Sequence, residues 1–128
     1  MPRRQRPKKP TRNDVKPAAP SRVSISFRRC NPGGKWCLSH CASDGVRSVI
    51  DTFRMVTELD WPSMYAMRGL KTEEIKDTAL KVERPTWLDP GVAICALRVS
   101  RRFRLLWYRE GDVLHVLWFD PLHEVYDG

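Results

Sequence analysis

The sequence predicts an α+β domain in which an N-terminal strand and two or three helices precede a three-stranded antiparallel sheet. Three observations predict it. "RVSISFRR", Arg22 to Arg29, alternates Val23, Ile25 and Phe27 against Ser24, Ser26 and Arg28, as a half-buried strand does. From Ser43 onward Val46, Val49, Ile50, Phe53 and Val56 recur at three- and four-residue spacing. The last third, Ile94 to Tyr126, reads as three short strands joined by tight turns.

Each element has a local reason. The first strand stops at Asn31-Pro32-Gly33-Gly34. Ser43 is a suitable N-cap for the helix that ends near Leu59, and the apolar stripe of this helix should cover the sheet. Asp60-Trp61-Pro62 restarts a short helix through Tyr65 and Met67 that Gly69 ends. Thr72 caps a third helical candidate, Glu73 to Val82, with a thin stripe of Ile75, Ala79 and Leu80. "ERPTWLDPG" is a connection by its two prolines and its glycine. The strands that follow turn at Ser100 to Arg102 and at Glu110-Gly111.

The 128 residues carry 23 Lys and Arg against 15 Asp and Glu, a net +8 that is unevenly spread. Residues 1–22 hold eight of the cations, one acid (Asp14) and five of the ten prolines, a charge of +7; the remaining 15 cations face 14 acids. So 1–22 is expected to be a basic tail, disordered when unbound, and 23–128 a single domain. Cations near a polyanion release counterions, which gives affinity without sequence recognition. Arg3, Arg4, Arg6, Lys8, Lys9 and Arg12 are accordingly the candidate nucleic-acid contacts. A solubilising arm or an acidic protein partner would use the same charge. No stretch approaches the roughly 18 to 20 apolar residues that cross a bilayer, and residues 1–22 lack the apolar segment of a secretory signal. The chain is expected to be soluble and cytoplasmic, with no membrane partner.

The four cysteines are Cys30, Cys37, Cys41 and Cys95. Cys30, Cys37, His40 and Cys41 are only weak candidate zinc ligands, because their spacing lacks the paired clips of structural zinc sites; small buried thiols near a helix start are the preferred reading, and no metal is expected. Cys95 belongs to an apolar strand. No cofactor is expected.

The C-terminal third puts arginine, histidine and tyrosine at the polar positions of its strands. Leu97-Arg98, then Phe103-Arg104 with Tyr108, the apolar run Val113 to Phe119, and His123-Glu124-Val125-Tyr126 follow one another in an order that resembles the RelE-like toxin superfamily of bacterial toxin and antitoxin pairs. Members are ribonucleases or gyrase poisons on one small fold. The resemblance implies a RelE-like domain, metal-independent endoribonuclease (mRNA interferase) activity on RNA, with free or ribosome-bound mRNA as the substrate, and a cognate antitoxin as partner. It also implies Arg98 and Arg104 as phosphate clamps and Tyr126 as a proton carrier. Cleavage of RNA without metal needs a base for the 2′-hydroxyl, cations for the developing phosphate charge and an acid for the leaving oxygen. Histidine exchanges protons near neutral pH, so His123 is the second proton carrier; tyrosine needs cations nearby to lower its pKa. His115 reads as a hydrogen-bonded strand residue, and Trp107 or Tyr108, if exposed, as base-stacking surfaces. A noncatalytic nucleic-acid- or protein-binding accessory module of a phage or mobile element, which could inhibit a replication or translation protein, is the alternative.

Overall fold

The structure, a computed structural model, describes residues 21–31 and 34–128. Its elements are β1 (Ser24–Ser26), α1 (Ser43–Val56), α2 (Trp61–Ala66), β2 (Glu73–Ile75), β3 (Ile94–Arg98), β4 (Arg104–Glu110) and β5 (Val113–Asp120), with short 3-10 turns at Leu38–His40, Arg68–Leu70 and Asp77–Ala79. The strands form one five-stranded sheet in the order β1-β5-β4-β3-β2. β1 runs parallel to β5, with Ile25 beside Leu114, and all other neighbours are antiparallel.

The chain is thus α+β, but not with the expected three-stranded antiparallel sheet after two or three helices. The sheet is mixed and five-stranded, α1 is the one long helix, and α2 is a six-residue turn and a half. The arrangement expected for the RelE-like domain, a three-stranded antiparallel sheet after two or three helices, is therefore corrected. The N-terminal strand joins the sheet edge directly, where the Val23 N–H donates to Leu59 O and the Ser24 N–H to Asp112 O. The third helical candidate does not form. Glu73 to Ile75 is instead an edge strand paired with Ile94 to Ala96, because three scattered apolar residues make no helical stripe, while pairing with β3 buries Ile75 beside Ile94.

Local chemistry fixes the helix ends. Ala42, not Ser43, occupies the N-cap position of α1, and the Asp44 carboxylate accepts from Gly45 N–H. The helix stops at Thr57, whose hydroxyl folds back onto the carbonyls of Phe53 and Arg54, two residues short of the expected end. At α2 the Asp60 side chain accepts from Ser63 N–H at 2.8 Å, with Pro62 in the first turn. Ser63 thereby holds the Asp60 carboxyl below its ordinary value. Gly111, at φ 61°, takes up the left-handed turn that lets Glu110 pair with Val113.

Both faces of the sheet are buried. Val49, Val56, Trp61 and Met64 of the helices pack on Leu97, Leu105, Trp107, Leu114, Val116 and Phe119. The opposite face, Ile94, Ala96, Leu106, Tyr108 and Leu117, is covered by the segment after β2 and by the C-terminal residues Val125 and Tyr126. The near-continuous apolar runs of β3, β4 and β5 are what a sheet buried on both sides requires. A register irregularity between Leu106 and Trp107 shifts the pairing by one residue, so Leu117 and Phe119 face opposite layers although they are two apart. Trp107 is fully buried and Tyr108 nearly so, which corrects the expectation that either could stack a base. No helix among the described residues is long and apolar enough to cross a membrane.

Candidate functional site

The residues singled out for chemistry converge on one corner of the sheet, where β3 ends, β4 begins and the chain leaves β5. Strand register places Arg98 opposite Arg104, and Arg104 opposite Asp120. Two like charges so placed repel unless other groups hold them apart. Here the turn between the strands does so. The Arg98 Nε donates to Ser100 O at 3.2 Å, and Arg104 Nη1 lies 3.1 Å from Ser100 O and 3.3 Å from the carbonyls of Arg101 and Phe103. Both guanidinium groups therefore brace the β3–β4 turn. Arg101 and Arg102 stand exposed at its tip.

A buried aspartate builds the other side of the corner. Asp120 is fully buried, and its carboxylate accepts from the backbone N–H groups of Glu124 and Val125, at 2.8 Å each. The His123 N–H donates to Asp120 O at 3.3 Å. These bonds fold the last residues into a hook, in which His123 adopts a left-handed φ of 58°. The hook sets the His123 ring 4.5 Å from the Tyr126 ring. It is also tied to the segment after β2, with Lys81 N–H donating to Val125 O at 2.7 Å and Asp127 N–H to Ala79 O at 2.9 Å.

Tyr126 is 1% exposed, and its hydroxyl donates to Glu73 Oε2 at 3.4 Å. Burial, and then the Glu73 carboxylate, push the phenol up to about 12, although the Arg104 guanidinium pulls the other way. At neutral pH roughly one molecule in a hundred thousand would carry the phenolate on that value. The expected lowering of its pKa by neighbouring cations does not occur, because desolvation and the carboxylate outweigh the arginine. The corner thus brings Arg104, His123 and Tyr126 together, sets Arg98 across the strand pair, and adds Glu73 and Asp120. Asp120 could have been found from "FDP" at a strand end, where an aspartate commonly accepts from following backbone N–H groups. Glu73 left no signal, since its segment was read as a helix.

Beside the corner lies a groove of about 690 Å³ between the first turn of α1 and the arginine turn, lined by Gly45, Ser48, Arg101, Arg102, Phe103 and Leu122. A Cβ on Gly45 would come within 3.2 Å of the Phe103 ring, so glycine lets the helix approach the turn.

The cysteine segment shows a different environment. Cys30 lies beside β5, its Sγ 3.9 Å from Leu117 O, and burial followed by Cys37 pushes its thiol up to about 11. Cys41 is raised by the same two causes. Cys37 accepts from Ser39 Oγ at 3.2 Å, and His40 is exposed in its 3-10 turn. Among the described residues no three His, Cys, Asp or Glu side chains come together to hold a metal ion. Cys95, half-buried in β3, is pushed up to about 11 by burial and then by Glu74. His115 is buried against Tyr108, ring centroids 4.8 Å apart, with Nε2 3.1 Å from Glu110 Oε1. The predicted nucleic-acid contacts Arg3, Arg4, Arg6, Lys8, Lys9 and Arg12 lie outside the described residues.

Comparison with protein-family models, with curated proteins and with solved structures finds no match to this chain.

Proposed function

We propose that the chain is a noncatalytic nucleic-acid-binding module of the cytoplasm, which grips phosphates through its basic N-terminal segment and the arginine turn. One observation carries the reading. Arg98, Arg101, Arg102 and Arg104 crowd one turn, and none of them forms a salt bridge with an acid among the described residues. Cations that the protein itself leaves unneutralised are available to a polyanion, and residues 1–22 add a charge of +7. The corner chemistry supports binding over catalysis, because the Tyr126 phenol is pushed up and Arg98 and Arg104 are engaged with the carbonyls of their own turn, as Arg102 is with Leu122 O.

The test is the salt dependence of binding to a labelled RNA oligonucleotide. Wild type should lose affinity linearly on a log–log plot. Alanine at Arg3, Arg4, Arg6, Lys8, Lys9 and Arg12 together should flatten the slope by about 4 to 5 if each contacts a phosphate. Absence of binding, or a slope untouched by these substitutions, would overturn the reading; salt-sensitive capture of an acidic protein in its place would assign the charge to a protein partner.

A second reading, the endoribonuclease toxin on mRNA held in check by an antitoxin, is favoured by one observation: the His123 and Tyr126 rings lie 4.5 Å apart beside Arg104. It requires new RNA 5′ ends on brief induction in bacteria, lost in Arg104→Ala and Tyr126→Phe. Induction without new ends excludes it.

A further inference from the structure

We propose that the nucleic acid taken by this module is single-stranded, and that it stacks on a strip of cation-covered tryptophans, Trp87 with Arg29 and Trp36 with Lys35, at the margin of the sheet face that carries Tyr108 and Trp118. The proposal rests on the nucleic-acid-binding reading above and names the class of ligand. Trp87 is 48% exposed, an unusual place for the largest apolar side chain. It is nevertheless held in a fixed position. Its ring leans on Tyr108, centroids 6.0 Å apart at 59°, and Tyr108 in turn stacks on His115. The Arg29 guanidinium carbon sits 4.5 Å from the Trp87 ring centroid.

The second pair repeats the pattern. Lys35 Nζ lies 4.8 Å from the Trp36 ring centroid, and Trp36, half-buried, packs at the margin of the same face of the sheet as Trp118. The segment bearing Arg29 and Trp36 is fastened along β5, with Cys30 Sγ beside Leu117 O and Trp36 O accepting from Phe119 N–H at 2.9 Å. Trp36 thus sits beside Phe119 and Trp87 beside the Tyr108–His115 pair, positions four residues apart on β5, or about 13 Å at 3.3 Å per residue. Arg29 and Lys35 are exposed and form no salt bridge with an acid among the described residues. Arg84, three residues before Trp87 in the chain, is engaged with Asp77 and with the carbonyls of Asp89 and Val92.

Indoles capped by cations that no acid neutralises suit a single strand: a base can stack on the ring or on the guanidinium plane over it, and the adjoining phosphate meets the charge. A duplex buries its base faces and offers the strip only phosphates. The charge of the strip, added to the +7 of residues 1–22, selects a polyanion over an apolar protein surface.

The experiment measures anisotropy of a labelled 12-nucleotide RNA, single-stranded and annealed to its complement, with the full chain at 150 mM salt. The proteins compared are wild type, Trp87→Ala, Trp87→Phe and Arg29→Ala. Wild type should prefer the single strand. Trp87→Ala should lower single-strand affinity by about 5- to 150-fold and leave duplex affinity unchanged, and Trp87→Phe should restore part of the loss. Arg29→Ala should weaken single-strand binding and reduce the salt slope by about 1. If wild type binds nucleic acid but Trp87→Ala and Arg29→Ala bind the single strand as wild type does, the strip is not the site and the inference falls while the module reading stands. If wild type binds neither form, both fall. Should Trp87→Ala unfold, Trp87→Phe and Arg29→Ala carry the decision, since Arg29 is an exposed residue outside the core.

Discussion

Replacing Asp120 by asparagine should detach the C-terminal hook, and the structure sets the size of the effect. Each carboxylate oxygen of Asp120 accepts one backbone N–H at 2.8 Å in a fully buried setting. A hydrogen bond to a charged group contributes about 1.5 to 3 kcal/mol, and leaving a buried donor unpaired costs about 1 to 3. Asparagine keeps one acceptor oxygen, now neutral, and turns an NH₂ toward the other N–H. One bond is weakened and one is lost with its donor stranded, so Asp120→Asn should destabilise by about 2 to 4 kcal/mol. Urea unfolding followed by tryptophan fluorescence reads this as a lower midpoint, by roughly 1 to 3 M at an ordinary slope for a chain of this size. A loss under about 0.5 kcal/mol would refute the reasoning, since it would mean that the hook holds without its aspartate. The same variant offers an internal check, because Tyr126 sits in the hook. Freed from burial, its phenol should titrate closer to the ordinary value near 10.

In the wild type, Tyr126 should titrate at about 12 by ultraviolet absorption. Because its folded value is raised, the associated stability is fully present below pH 10 and falls as pH rises from 10 toward 12; Tyr126→Phe should abolish that decline in urea midpoints, and an unchanged decline would assign it elsewhere. Gly111→Ala should cost about 1 to 2 kcal/mol through its left-handed φ alone, as no atom lies within 4 Å of the added Cβ, and Gly111→Asn should cost less in the same unfolding assay. Cys30 and Cys95, both pushed up to about 11, should be alkylated by iodoacetamide at pH 8 roughly a hundredfold or more slower than a free thiol in mass-spectrometric time courses, and should match that thiol once the chain is unfolded in urea.

What was legible in the sequence is what adjacent residues decide. The stripe Val49, Phe53, Val56 marked α1, Asp60 with Pro62 marked the start of α2, and Gly111 marked a hairpin; each is a local preference that the packed chain keeps. The pairing of β1 with β5 was not legible, because Leu114 lies 89 positions beyond its partner Ile25, and local periodicity carries no information on which strand a segment joins. Glu73 to Ile75 is too short to show alternation, and only its neighbour β3 makes it a strand. The burial of both sheet faces did leave a trace in the runs "ICALR" and "VLHVLWFD", which are apolar beyond strict alternation. Reading those strands as half-exposed is what turned Trp107 and Tyr108 into stacking candidates. At the corner, the nearness of Arg98 to Arg104 follows from a hairpin around Ser100 to Arg102 and was legible; the contact of Tyr126 with Glu73 depends on the edge strand and was not.

The two functional readings make opposite demands on the same residues. A catalyst needs Tyr126 or His123 to exchange a proton with substrate, and Arg104 to release its carbonyl partners for a phosphate. The phenol instead donates to Glu73 from a buried site, so drawing on it would first require the hook to open, against two bonds to Asp120 and two to the segment after β2. A binding module needs the corner to stay closed, because the braced turn then presents Arg101 and Arg102 in a fixed orientation beside the groove. Asp120→Asn therefore separates the readings as well as measuring the hook. If the closed corner serves binding, loosening it should weaken RNA affinity in step with stability; if opening it serves cleavage, the loosened variant should cut RNA faster than wild type.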